Sequence, residues 1–235
     1  MALAVAVNRP DRTRGESRAQ TRQRLLAFGR RAFARKGHVA TNLREDILEP
    51  AGVSVGSFYH QFRDKTDLFL AILEHHGNTF RAMIREAHTP APTDAPADVA
   101  RQSFATVFRI ADENDDLFRI MARERESPDP RVRAYLRESQ REWIVSLVAD
   151  YRRLGFIGPR DTRTGTQVAE LVSALTIGMI LRYLDLPAAE RARQRARLID
   201  GLVQFTLGGV AAVVANPPPR RSDTITTQRR KRGGH

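Results

Sequence analysis

The side chains whose types and spacing could do chemistry lie between Gly52 and Lys65. On a helical wheel with about 100° between residues, Phe58 and Phe62 fall on one side, one turn apart, and should pack inward. The opposite side carries small and polar residues, namely Gly56, Ser57, Tyr59 and His60. Hydroxyl, imidazole and exposed backbone groups hydrogen-bond to phosphates and base edges. The pattern therefore predicts a surface that reaches into the major groove of a nucleic acid.

The sequence holds little for an enzyme or a metal site. The chain has no cysteine, which excludes disulfides, thiolate ligands and a cysteine nucleophile. His75 and His76 are adjacent, so on a helix they would point about 100° apart and could not chelate one ion. No glycine-rich phosphate loop or nucleophile elbow occurs. We therefore predict a binding protein without cofactor or metal, and not an enzyme.

The positive charge lies at the two ends of the chain. The net charge is +12, of which residues 1–62 carry +6 and residues 217–235 carry +5, leaving +1 for residues 63–216. A basic module on a neutral body indicates a polyanionic partner for that module. Solvated arms that bind nothing would have the same composition.

Apolar residues recur at three- and four-residue steps and no segment alternates with a period of two, so we predict an all-α fold. The first helix should begin at Arg18 and end at Gly37. Later helices are predicted over about 97–111, 115–123, 132–154, 161 or 162–184, and about 188–214. The three prolines in Thr89–Pro96 mark the best domain boundary.

Two short helices meet at Gly52 as in a helix-turn-helix. Thr41 or Asn42 can cap the first helix, and Ser54 can cap the second, which we place over Val55–Phe62. The glycine permits the sharp turn that frees the second helix to face DNA. A helical hairpin that binds nothing would show the same pattern.

Four runs around this turn carry a more specific pattern. They are Thr21-Arg22-Gln23-Arg24-Leu25-Leu26, Phe33-Ala34-Arg35-Lys36-Gly37, Ala40-Thr41-Asn42-Leu43, and Ala51-Gly52-Val53-Ser54-Val55-Gly56-Ser57-Phe58-Tyr59-His60-Gln61-Phe62 with Lys65. Over about residues 18–80 these runs resemble the DNA-binding domain of the TetR family. The resemblance implies an N-terminal three-helix helix-turn-helix domain, a connecting fourth helix, and a larger helical domain for ligand binding and dimerisation.

The resemblance also implies which residues meet DNA. Thr41, Tyr59 and Lys65 match positions that contact phosphates. The positions that face bases in many members are occupied here by Val55, Gly56 and Ser57, and in some members Tyr59 faces bases too. His60 is added from the helical wheel, either as a phosphate or base contact or as a solvated surface histidine.

One departure from the family pattern lies in the second helix. Leu43 and Ile47 are four residues apart where the family spaces its two apolar residues by three, so the helix holds one extra residue. Pro50, near the end of this helix, removes a backbone donor. Of Arg44 and Glu45, we expect Arg44 to face the groove, because a guanidinium pairs with guanine or phosphate whereas phosphate repels a carboxylate.

The last two helices carry apolar residues on more than one face and must be covered on both sides. The resemblance suggests that they form a four-helix interface in a homodimer, and two recognition helices related by a two-fold axis would read a palindrome. A lipophilic effector could occupy a pocket lined by Phe104, Phe108, Phe118, Met121, Trp143, Leu147 and Met179. At helical spacing, such residues are more often plain core.

The combined hypothesis is a transcription regulator that represses by binding an operator and is released by a small lipophilic effector. The alternative is a helical ligand-binding scaffold without a DNA role. Leu117-Phe118-Arg119 and Arg123-Glu124-Arg125 are faintly similar to family members that sense acyl chains, which suggests an acyl-CoA or fatty-acid effector.

The predicted domain order is a disordered basic arm (1–17), the DNA-binding domain (18–80, with its motif at about 41–62), the effector-binding and dimerisation domain (81–215), and a disordered basic tail (216–235). Either arm could touch DNA or remain solvated. No targeting segment is visible, so we expect a cytoplasmic location. The apolar run near Leu171–Leu181 looks too short to span a bilayer, so no membrane is expected.

Overall fold

The computed structural model describes residues 14–87, 95–158 and 161–215, with side chains from Arg18 onward. Every regular element in these residues is a helix, which confirms the all-α fold. The first four helices are α1 (Arg14–Ala40), α2 (Leu43–Leu48 continued by Glu49–Ala51), α3 (Val55–Tyr59) and α4 (Lys65–Ala87). They are followed by α5 (Pro96–Glu113), α6 (Asp115–Glu124), α7 (Pro130–Arg153), α8 (Thr162–Leu184) and α9 (Ala188–Ala215).

The predicted helices α5 to α9 agree with these bounds to within about two residues at each end. Helix α1 begins at Arg14, earlier than expected, and Gly37 interrupts it with φ +82°, a conformation that favours glycine. Pro96 occupies the first turn of α5, where its missing N–H costs no hydrogen bond. Of the predicted proline linker, only Ala95 and Pro96 belong to the described residues. Nearly all of the two basic arms also lies outside them.

The chain divides into two compact units, Met1–His76 with Arg119–Leu136, and Gly77–Phe118 with Arg137–His235. In the first unit, α1 packs on α4 through aromatic rings, and the centroids of Phe33 and Phe69 lie 4.9 Å apart in an edge-to-face arrangement. Its buried residues include Leu25, Phe33, Ile47, Phe58, Phe62, Leu68, Phe69 and Ile72. This core fixes the helices that carry the candidate site.

The second unit contains two clusters of buried residues. One joins α5, α8 and α9 and includes Phe104, Phe108, Ile180, Tyr183, Leu184, Ile199, Leu202 and Val203. The other joins α7 and α8 and includes Ile144, Leu147, Val148, Tyr151, Ile157, Val168 and Ala169. Val172 packs against both clusters, so they adjoin at this residue. Within the first cluster, the Tyr183 hydroxyl donates to the Asp112 carboxylate at 2.9 Å.

Helices α8 and α9 are each long and apolar enough, by length and composition, to cross a membrane, although the sequence had suggested a run too short to do so. The core helix of a soluble protein meets the same test, so the observation is weak evidence for a membrane. In a single chain, only 22% of the most apolar window of α9 is buried, against 39% for α8. Both helices therefore expose large apolar side chains, namely Leu171, Ile177, Phe205 and Val214.

Candidate nucleic-acid interface

Helix α3 begins with the predicted cap. The Ser54 hydroxyl oxygen accepts from the backbone N–H of Ser57 at 3.1 Å, which satisfies one of the free donors of the first turn. Gly52, with φ +60°, makes the turn before it. The helix ends at Tyr59, earlier than the predicted Phe62. A turn continues its hydrogen bonds, because the Phe62 N–H donates to the carbonyl of Phe58 at 2.9 Å.

The two faces of α3 are divided as the wheel predicts. Phe58 is fully buried and Phe62 is 3% exposed, with their ring centroids 5.8 Å apart. Tyr59 is 58% exposed and Val55 is 49% exposed. Gly56, Ser57 and His60 are also exposed. The helix therefore buries its aromatic side and presents Val55, Gly56, Ser57, Tyr59 and His60 to solvent.

Gly56 is not demanded by packing within the described part of the chain. A Cβ atom added to Gly56 would meet no atom within 4 Å. The glycine lowers helix stability by up to about 1 kcal/mol relative to alanine. Its small size is thus available for close approach of an external partner to the backbone of α3.

Arginines of α1, whose role the sequence did not reveal, brace the helix-turn-helix. Arg18 donates to the carbonyl of His60 at 3.2 Å, and the side chain of Gln61 donates back to the carbonyl of Arg18 at 2.9 Å. The Arg22 guanidinium lies 4.6 Å from the centroid of the Phe62 ring, a cation–π contact. Arg24 donates to the carbonyl of Ala51 at 3.3 Å. These contacts hold α3 and the end of α2 against α1.

The extra residue of α2 is accommodated by π-helical hydrogen bonding over Leu43–Leu48. The N–H of Glu49 donates to the carbonyl of Arg44, five residues earlier, which is the bond that defines a π-helix. Asn42 caps the helix, and its side-chain oxygen accepts from the N–H groups of Arg44 and Glu45 at 2.9 and 3.2 Å. A single inserted residue is thereby absorbed without losing the burial of Ile47.

Asp46 ties this π-helix to α1. Its carboxylate accepts from the N–H of Asn42 at 2.9 Å and from the Lys36 ammonium at 2.9 Å, and it lies 3.3 Å from the Arg35 guanidinium. The hydrogen bond from Lys36 is the main reason why the pKa of Asp46 lies below its ordinary value. Together Asn42 and Asp46 form a reciprocal cap that spans four residues, one more than the usual capping box.

The side chain of Arg44 is 76% exposed, as expected for a residue that faces a partner. Its Nε atom donates to Oε1 of Glu49 at 3.1 Å. Glu45 is exposed as well, so burial does not distinguish the two positions. Pro50 lies in the short α-helical turn Glu49–Ala51 that ends α2.

The structure places the Thr41 side chain differently from the expected phosphate contact. Thr41 is 2% exposed, and its hydroxyl donates to the carbonyl of Gly37 at 2.6 Å. This bond satisfies a carbonyl left free where Gly37 interrupts α1. The Thr41 hydroxyl is therefore committed to the interior and does not reach the surface in this conformation.

Lys65 also has internal partners. Its ammonium donates to the carbonyl of Thr41 at 2.6 Å and to the carbonyl of Val39 at 3.1 Å. Burial lowers the pKa of the Lys65 ammonium below its ordinary value. Two of the three N–H groups of the Lys65 ammonium therefore support the loop between α1 and α2. The expected phosphate contact would have to use the third N–H group.

Residues of α6 and of the first turn of α7, which the sequence did not single out for this role, hold the same region of the first unit. Arg123 donates to the carbonyl of Phe33 at 2.6 Å, at the C-terminal end of the regular part of α1. Arg131 donates to both carboxylate oxygens of Asp64 at 3.0 Å and lowers its pKa. Asp64 also caps α4 by accepting from the N–H of Asp67 at 2.8 Å.

His38 lies at the centre of these contacts and is 5% exposed. Its Nε2 is 3.0 Å from the Thr66 hydroxyl, which donates its own proton to Asp129 at 2.8 Å. The proton between them must therefore come from Nε2, and Nδ1, which is buried without a partner, carries none. The backbone N–H of His38 donates to the buried carboxylate of Glu124 at 2.9 Å.

The residues expected to line an effector pocket are not brought together. Phe104, Phe108, Phe118 and Met179 belong to or pack against the α5–α8–α9 cluster, whereas Trp143 and Leu147 belong to or pack against the α7–α8 cluster. Met121 falls within the first unit. Phe104, Phe108 and Leu147 are buried, whereas Phe118, Trp143 and Met179 are partly buried, and a ligand site among them stays a prediction. A cavity in the described residues opens elsewhere, along the start of α8 beside Thr162, Thr166 and Gln167.

Comparison with known proteins supports the helical fold and the N-terminal helix-turn-helix. Residues 25–72 match the family model described as bacterial regulatory proteins, tetR family. A transcriptional regulator from Pseudomonas aeruginosa PAO1 has a similar structure, with a TM-score of 0.66 and 23% identity over 86% of this chain and 96% of that chain. The fatty acid degradation regulator FadR from Bacillus halodurans gives a TM-score of 0.65 at 14% identity, over 80% and 98%.

A TetR-family transcriptional regulator from Streptomyces coelicolor is also similar, with a TM-score of 0.62 and 18% identity over 84% of this chain and 97% of that chain. The all-helical fold and the family-model match over the helix-turn-helix support a DNA-binding regulator. The match over residues 25–72 confirms the resemblance of the N-terminal helix-turn-helix domain to the TetR family. Regulators of this family are non-enzymatic transcription factors.

Proposed function

We propose that the protein is a repressor that binds a palindromic operator as a homodimer and is released by a small lipophilic effector. The observation that carries the DNA part is the division of α3 between a buried aromatic side and an exposed side with Tyr59 and Gly56. Repression is the common mode of action implied by the family. The cytoplasm, where the DNA is, is the compartment that this function requires.

The DNA-facing surface that we propose consists of Arg44, Val55, Gly56, Ser57, Tyr59 and His60. Arg44, Tyr59 and His60 supply exposed side chains with hydrogen-bond donors, and Gly56 permits close approach to the backbone. The charge of +6 on residues 1–62 favours association with phosphates. Thr41 and Lys65 stabilise the loop that leads into α2, since the Thr41 hydroxyl and the Lys65 ammonium already bind backbone carbonyls.

A mobility-shift titration on the DNA upstream of the protein's own gene tests this proposal. The shift should weaken steeply as salt rises, because neutralised phosphates release counterions. The competing hypothesis, a ligand-binding scaffold without a DNA role, predicts no retarded band at any salt concentration. A scrambled duplex of the same composition separates specific from non-specific binding.

The dimer is proposed from the uncovered apolar side chains of α8 and α9. Phe205 is 69% exposed and Leu171 is 54% exposed in a single chain, and a second copy of the same two helices would remove both from water. Sedimentation should show a dimer for the native chain and a monomer for Phe205→Asp. Val145→Asp is the matched control, since Val145 is 64% exposed but lies on α7. A native monomer, or a dimeric Phe205→Asp variant, would refute this interface.

The effector part of the proposal requires one of the two core clusters to open. The α5–α8–α9 cluster is the better candidate because it holds four of the seven residues predicted to line a pocket. An acyl-CoA or fatty-acid effector is suggested by the faint sequence similarity, and the related structure of a fatty acid degradation regulator points the same way. Palmitate and palmitoyl-CoA should each be titrated while Trp143 fluorescence and the DNA shift are followed. If neither compound alters both signals, this effector class is wrong.

A further inference from the structure

Two residues of α2, Arg44 and Glu49, are joined both through their backbones and through their side chains. The N–H of Glu49 donates to the carbonyl of Arg44, and Nε of Arg44 donates to Oε1 of Glu49 at 3.1 Å. In an α-helix of 3.6 residues per turn, positions five apart point about 140° away from each other. A turn closed by an i→i+5 hydrogen bond contains more residues and brings these positions close in rotation. The ion pair therefore depends on the inserted residue.

The ion pair with Glu49 uses only Nε of Arg44 and leaves the two terminal nitrogens of the guanidinium available for a partner. Glu49 binds the guanidinium only at Nε, and in the described part of the chain Nη1 and Nη2 have no protein partner. Guanine presents its O6 and N7 acceptors as a pair that suits such a guanidinium fork. Long exposed side chains lose rotamer freedom when they bind, and a partner that already fixes one edge of the guanidinium reduces that loss.

We propose that Glu49 is a positioning residue, which orients Arg44 for bidentate recognition of a guanine in the major groove. The inference rests on the proposed DNA-binding function and names the base that α2 reads. It assigns a role in specificity to a carboxylate that would otherwise only oppose binding, since phosphates repel it. The inserted residue in α2 then contributes to base selectivity, because it brings Glu49 next to Arg44.

The test compares native protein with Glu49→Gln on duplexes selected from a randomised pool by the native protein. The selected duplex, a version with each guanine replaced in turn, and a scrambled duplex are titrated at one salt concentration. We expect Glu49→Gln to lose the preference for one guanine by about 5-fold or more, within the range set by a bidentate base contact. Binding to the scrambled duplex should stay equal or tighten, because a negative charge has been removed.

A second set of variants separates orientation from charge. Arg44→Lys keeps the charge but lacks the planar fork, so it should lose the same guanine preference. The double variant should lose no more than either single variant, because both changes disable one contact. The matched control is Glu138→Gln, which removes an exposed carboxylate paired with Arg141 on α7. It should leave all base preferences unchanged.

The outcomes distinguish this inference from the function on which it rests. If Glu49→Gln tightens binding to the selected and scrambled duplexes by the same factor, Glu49 merely repels phosphate and the inference is wrong. The same conclusion follows if every base preference is retained both in Glu49→Gln and in Glu49→Ala, which removes the acceptor that a glutamine oxygen could still offer to Nε. If the native protein selects no sequence from the pool, the proposed function itself fails.

Discussion

The ammonium nitrogen of Lys65 lies 2.6 Å from the carbonyl oxygen of Thr41, and the hydroxyl of Thr41 in turn donates to the carbonyl of Gly37. These two bonds connect the start of α4 with the point where Gly37 interrupts α1. Both residues were expected to bind phosphates. Their contacts show that they first shape the loop that leads into α2, so removing either residue would disturb the site indirectly.

Replacing Lys65 with methionine should therefore lower stability as well as DNA affinity. Two backbone carbonyls would lose a charged donor, at a cost of about 1–3 kcal/mol. Chemical denaturation of the variant measures this loss. Arg141→Met is the control, since it removes one positive charge from an exposed ion pair with Glu138 on α7 that is worth less than about 1 kcal/mol. Unchanged stability of Lys65→Met together with weaker DNA binding would instead make Lys65 a direct phosphate ligand.

His38 should make the stability of the protein depend on pH. Burial is the main reason why its pKa lies below the ordinary value of 6.5, and the charge of Lys65 adds to this, against Glu124 and Asp129. Arg131 lowers the pKa slightly further. As the pH falls below 6.5, His38 becomes protonated in the unfolded chain. In the folded chain, His38 stays neutral until the pH reaches its lowered pKa. Stability should decline across that interval, by at most about 1.4 kcal/mol per pH unit.

The measurement is the melting temperature of the native protein and of His38→Gln between about pH 7.5 and about pH 5. This range brackets the ordinary pKa of histidine, which is about 6.5. His38→Gln removes the titrating group and should flatten the decline, whereas replacement of the exposed His75 by glutamine should preserve it. Equal slopes for the native protein and His38→Gln would contradict the assignment.

Gly56→Ala should separate stability from DNA binding. The added methyl group meets no protein atom within 4 Å, and alanine favours the helix over glycine by up to about 1 kcal/mol. The variant should therefore be as stable as the native protein or more so, and yet bind DNA more weakly. Denaturation and DNA titration of the same preparation test this, with Gly158→Ala in the connection between α7 and α8 as the control, since its added methyl group meets only the Cβ of Asp161, at 3.9 Å. Undiminished affinity would show that DNA does not approach the α3 backbone at this position.

The exposed and buried faces of α3 could be predicted because helical periodicity places Phe58 and Phe62 on one side. The extra residue of α2 was also visible in the spacing of Leu43 and Ile47. Its π-helical solution was not, because periodicity does not reveal which carbonyl each N–H selects. The bonds of Lys65 depend on tertiary contacts between α4 and the loop after α1, which local patterns do not encode.

The pocket residues illustrate a different limit. Phe108 and Leu147 have the hydrophobicity and spacing of residues that either fill a core or line a cavity. Sequence cannot distinguish the two, since the difference lies in whether neighbouring helices leave space. The structure places them in separate clusters of buried residues, and ligand contact at either residue stays a prediction.

The central claim is that the exposed face of α3 binds DNA, and the affinity of Tyr59→Ala for the DNA upstream of the protein's own gene tests it most directly. Tyr59 is 58% exposed, so its removal should leave the fold intact, as Val145→Ala on α7 should also do. We expect Tyr59→Ala to weaken binding by about 10-fold or more, on the order of 1.4 kcal/mol, while Val145→Ala binds as the native protein does. Native affinity in a folded Tyr59→Ala variant would contradict the placement of the DNA-binding surface on α3.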